Sequence, residues 1–112
     1  MGGENRLNKS KKDITSGLNE IMNITGTMVG APGSTREIQQ ETVQKKISQI
    51  KNSTADLRGQ VLSWKIDRLN FYFSRIGHTA GEMVGSDIVC QKLKSIEVYD
   101  LINKSEKIIG TF

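Results

Sequence analysis

Apolar residues recur at alternating steps of four and three through the middle of this chain: Val43, Ile47, Ile50, Thr54, Leu57, Val61 and Trp64. That spacing is a heptad seam, with Val43, Ile50, Leu57 and Trp64 at d and Ile47, Thr54 and Val61 at a. It dictates a helix with one narrow apolar line, since the residues between are mostly Gln, Lys, Ser, Asn, Asp and Arg. A line that narrow does not fill a globular core by itself, so the seam predicts partner helices. Ser34-Thr35-Arg36-Glu37 fits the capping box S-x-x-E and marks the expected start. Gly77 is the expected stop, as the left-handed residue after a last turn. The expected central helix therefore runs from about 35 to 76.

The same period appears earlier, at Leu7, Lys11, Ile14, Leu18, Ile21, Thr25 and Met28, and predicts a helix over about 7–28. Gly17 weakens it by about 1 kcal/mol relative to Ala. Gly26, Gly30, Gly33 and Pro32, the sole proline, then stop it. Either the chain doubles back as a helical hairpin or the loop bulges from a continuing rod; the matching seams favour the rod. In the central helix Gly59 is a weak point. A second apolar line, Leu62, Ile66, Leu69, Phe73 and Ile76, starts one position out of step with the first. It reads as a stutter in the seam, or as a helix leaving the seam to pack elsewhere.

After the Gly77–Gly85 connector, Ser86 or Asp87 caps a short third helix to about Leu93. Ile96, Val98, Tyr99, Leu101 and Ile102 then favour strand. Asn103 to Glu106 is a turn, and Lys107 to Phe112 the return strand of a C-terminal β-hairpin, with a continued helix as the alternative over 94–112. The expected fold is mainly α: segmented coiled-coil helices, a short third helix and that hairpin. Three parts follow, 1–33, 34–77 and 78–112.

Apolar residues, glycine not counted, make up 36% of the chain, which leaves few side chains for a core. Association is a standard remedy for so thin a core. Ile14, Leu18, Ile21, Val43, Ile47, Ile50, Leu57, Val61 and Trp64 are the expected oligomer interface, with copies of the chain or with partner helices. Ile at both a and d favours trimers or tetramers over dimers, and a trimer is the expected assembly. Short heptad segments interrupted by loops such as Val29-Gly30-Ala31-Pro32-Gly33-Ser34, each restarting with a cap, resemble fibritin, the trimeric whisker protein of tailed phages. The resemblance covers roughly Leu7 to Trp64 and implies a structural fibre without catalytic residues. No apolar run reaches membrane-spanning length and no signal peptide is evident, so a cytoplasmic or virion-associated protein is expected.

The net charge of +4 is uneven. Eight basic and four acidic residues lie between Ala31 and His78, and eight of each elsewhere. The alternative reading is a basic helical protein binding nucleic acid, or serving a polymerase, through Lys45, Lys46, Lys51, Arg58, Lys65 and Arg68. Trp64, Phe71, Tyr72 and Phe73 are core residues on their helical spacing, or else stacking platforms beside Lys65, Arg68 and Arg75. A third reading is a small subunit whose seam other chains complete.

No phosphate loop, dinucleotide fingerprint, zincin motif or nucleophile elbow is present. Cys90 stands alone as a small hydrophobe, and His78 is the sole imidazole, at a helix end or loop. No catalytic residue, metal ligand or cofactor is assigned. Asn8, Asn23, Asn52 and Asn103 each head an N-x-S/T triplet, read as composition.

Overall fold

A computed structural model describes residues 3–112, with side chains from Asn5 onward. Four helices follow one another: α1 (Gly3–Met28), α2 (Gly33–Ala55), α3 (Ser63–Glu82) and α4 (Ile88–Ile109). α1 packs on α2, α2 on α3 and α3 on α4, and α4 closes the ring against α1. Short connections between neighbouring helices make this an up-down-up-down bundle. It is elongated, 48 × 20 × 15 Å. Among the described residues no helix is long and apolar enough to cross a membrane.

The narrow line on α2 is buried from within the chain, contrary to the expectation of a segmented coiled coil. α2 buries Val43, Ile47, Ile50 and Thr54, at the centre of the groove between α1 and α3. Glycines on the neighbours make that groove deep enough. A Cβ at Gly17 would lie 2.2 Å from Ile50 Cγ2, and one at Gly77 would lie 3.0 Å from Ile47 Cδ1. Backbone therefore approaches where a side chain would hold the helices apart. Glutamine closes the edge of the groove: Gln44 Nε2 donates to the Gly77 carbonyl at 3.0 Å. Burying each Ile contributes about 1.5–3 kcal/mol, and no second molecule is needed.

Three expected boundaries move. The single helix over 35–76 is two helices joined by residues 56–62, where Gly59 takes φ +87°. The phase slip near Val61 is this break: Leu62 precedes a new helix that buries Ile66, Leu69, Phe73 and Ile76. Gly77 does not end that helix but lies buried inside it. The capping box goes unused, because α2 starts at Gly33 with Pro32 at its N-cap and no side-chain cap bond.

The expected β-hairpin over 94–112 is replaced by α4, which Asp87 caps by accepting from the Cys90 N–H at 2.8 Å. Its buried line is Gln91, Ser95, Val98, Ile102, Ser105 and Ile109. The period is helical, but three of the six residues are polar, so hydropathy conceals it. Their hydroxyls are satisfied locally: Ser95 donates to the Lys92 carbonyl at 2.7 Å and Ser105 to that of Leu101 at 2.9 Å. Packing thus overrides the strand preference of Val98, Tyr99 and Ile102. The N-x-S/T triplets share this origin. Ser10, Thr25, Thr54 and Ser105, their third residues, are all buried, and each Asn is exposed.

One end of the bundle is stitched. The connection between α1 and α2 turns at Gly30, whose φ of +79° suits glycine. Its N–H donates to Gln91 Oε1 at 2.9 Å, and Gln91 Nε2 donates to the Ser86 carbonyl at 2.7 Å. Arg36 donates to the Val84 carbonyl from Nε at 3.1 Å and Nη2 at 2.9 Å, and to the Ala31 carbonyl from Nη1. Gln91→Leu strands the Gly30 N–H and the Ser86 carbonyl. It is expected to cost about 1–3 kcal/mol, read as a lower urea midpoint at unchanged slope.

Candidate nucleic-acid interface

The phase of α3 follows from its apolar residues. Ile66, Leu69, Phe73, Ile76 and Ala80 turn inward, which sends Trp64, Arg68, Phe71 and Arg75 outward at steps of four, three and four. Trp64 and Phe71 are each 57% exposed. Two helical turns, about 10.5 Å of rise, separate them. Phe73, two residues along, is 0% exposed. The core placement expected for the aromatics therefore holds for Phe73 and fails for Trp64 and Phe71. Tyr72 is half-buried, its ring centroid 6.1 Å from that of Phe71 at a tilt of 59°.

Cations flank this line. Lys65 Nζ lies 5.8 Å from the Trp64 ring centroid, within cation–π range, and donates to the Thr111 carbonyl at 3.2 Å. Arg68 and Arg75 are exposed. Six ion pairs occur among the described residues, Lys9–Asp13, Lys46–Glu20, His78–Glu82, Lys94–Glu82, Lys94–Glu97 and Lys104–Asp100. None takes up Lys45, Arg58, Lys65, Arg68 or Arg75. Lys94 stands in contrast: the carboxylate of Glu82, and then that of Glu97, hold its pKa above the ordinary lysine value.

The expected basic set is therefore divided. Lys46 is 2.8 Å from Glu20 on α1, and Lys51 donates to Ser74 Oγ at 2.8 Å. Lys45 stands on the outer face of α2. Arg58 is exposed in the turn before α3, and Lys65 and Arg68 flank Trp64 on α3 itself. The expected oligomer interface divides differently. Ile14, Leu18, Ile21, Val43, Ile47, Ile50 and Leu57 are buried in the intramolecular core, and Val61 packs against it half-buried. Trp64 faces outward. Arg75 and Phe71 complete the α3 line, and their signal in the sequence was the alternation of aromatic and arginine at helical spacing.

Elsewhere the surface is chemically plain. Among the described residues no three His, Cys, Asp or Glu side chains converge as metal ligands. His78 is exposed inside α3, not at its end, 3.6 Å from Glu82 Oε1. Cys90 is a free, half-buried thiol rather than a fully buried one. A shallow groove of about 610 Å³ near the start of α1 is lined by Asn5, Arg6, Lys9, Ser10, Asp13 and Asp56. Both signs of charge line it, so it selects no charged ligand. Comparison with protein-family models, with curated proteins and with solved structures finds no match to this chain.

Proposed function

We propose that this chain is a non-enzymatic helical module that binds single-stranded nucleic acid along the outer face of α3. One observation carries the reading: Trp64 and Phe71 lie solvent-exposed on one line, with Arg68 and Arg75 beside them and in none of the ion pairs among the described residues. Aromatic platforms suit unstacked bases, whose faces a duplex hides, and arginine suits the phosphates between them. The spacing of about 10.5 Å is three times the 3.4 Å rise of stacked bases. The charge excess of the Ala31–His78 half supplies attraction at longer range.

Trp64 is the single tryptophan, so its fluorescence reports on the site directly. Titration with an unstructured oligothymidine at low salt is expected to quench it. The affinity should fall with salt at a log–log slope of about −2 to −3, as three or four neutralised phosphates dictate. Unchanged fluorescence, with no anisotropy change of a labelled oligonucleotide at the lowest salt, rejects the proposal. A response to anionic lipid vesicles in place of the oligonucleotide rejects it in favour of a membrane surface.

A second reading, an oligomeric structural or assembly component such as a fibre subunit, keeps one observation in its favour. It is not the central seam, whose residues the bundle uses internally, but an exposed apolar line on α4.

A further inference from the structure

We infer that a second copy of this chain docks on the outer face of α4, parallel to the first. Val89, Leu93 and Ile96 are 64%, 59% and 61% exposed. They recur at steps of four and three, on the side of α4 away from its core line. α1 and α3 occupy its other flanks. In heptad terms Val89 and Ile96 are d and Leu93 is a, and the next position on the line is Asp100. The apolar strip is two turns long, and like charges of Asp100 and its copy end it.

The charges beside the strip choose the partner and its direction. Lys92 stands at g on one edge and Glu97 at e on the other. In a parallel pair each g residue meets the partner's e residue five positions on. Lys92 then faces Glu97 of the second copy, and the two-fold axis repeats the contact. An antiparallel pair that overlaps the same three apolar residues sets Lys92 against Lys92. Lys92 has no carboxylate within ion-pair distance among the described residues, and Glu97 has one ion pair there, with Lys94 at 3.5 Å, while it borders a groove that Arg75 and Asp100 also line. Three side chains cover well under the roughly 800 Å² per partner of a standard interface, so the dimer is weak and exchanging. It uses a different helix from the α3 line and does not rest on the nucleic-acid reading.

Sedimentation equilibrium of the full chain up to several hundred micromolar, the protein alone, is the test. Wild type is expected to show a monomer–dimer equilibrium. Leu93→Asp, at an exposed position that leaves the core intact, abolishes it. Lys92→Glu weakens association several-fold, and the double exchange Lys92→Glu with Glu97→Lys restores it. For direction, Val89→Cys in a Cys90→Ser background is oxidised gently. A parallel pair cross-links through position 89, whereas an antiparallel pair separates the two thiols by about 10 Å. A wild type that stays monomeric throughout, a dimer indifferent to Leu93→Asp, or a Val89→Cys dimer that fails to cross-link overturns the inference.

Discussion

Ile50→Asp leaves the isolated chain unfolded. Ile50 is 2% exposed, and its Cγ2 fills the notch over Gly17, within 2.2 Å of where a Cβ would stand. A carboxylate there loses its water, and the cation that borders the adjoining groove, Lys46, is already paired with Glu20 at 2.8 Å. The lost packing of an isoleucine costs about 2–5 kcal/mol, and an uncompensated buried charge costs several more. Domains of this size hold only about 5–15 kcal/mol in total. Far-UV circular dichroism should show loss of helix, while Lys45→Asp, on the exposed side of the same helix, keeps the wild-type spectrum. Were Ile50 an interface residue instead, the substituted protein would stay helical and merely lose mass. That outcome would refute the intramolecular core.

The double variant Trp64→Ala, Phe71→Ala is expected to bind single strands about 30 to 10⁴ times more weakly. Each stacked base contributes about 1–3 kcal/mol, and 1.4 kcal/mol is tenfold. The loss should leave the salt slope nearly unchanged, because no phosphate contact is removed. Arg68→Ala with Arg75→Ala should do the reverse, flattening the slope by about 1.4 for two phosphates. Filter binding across a salt series separates the two effects. Both pairs are exposed, so melting temperatures should hold and exclude unfolding as the cause. Wild-type affinity in both double variants rules α3 out as the interface.

The helical class and much of the core were legible from spacing alone. Ile14, Leu18, Ile21, Val43, Ile47, Ile50 and Leu57 are inward residues in the structure as in the pattern. What spacing hid was the identity of their neighbours. A seam looks the same whether a second molecule or the next helix of the same chain covers it, and the deciding residues, Gly17 and Gly77, carry no hydropathy signal. The β-branched and aromatic run of α4 masked its period because Gln91, Ser95 and Ser105 occupy buried positions. On α3 the opposite error arose. Trp64 fell on the extrapolated seam, but the helix restarts at Ser63, and a new start resets which residues face inward. Arg68 and Lys65 were legible as cations; that Lys46 and Lys51 are occupied elsewhere required the packing of α1 and α3.

The stitched end joins residues far apart in the chain, Gly30 with Gln91 and Arg36 with Val84. Each helical hairpin can form from local contacts, which favours speed. The clasp cannot close until the last helix exists. During synthesis, at about 5–20 residues per second, Val43, Ile47 and Ile50 leave the ribosome ahead of α3. For those seconds the nascent chain carries an uncovered apolar flank, and the bundle shelters it only once its own later half arrives.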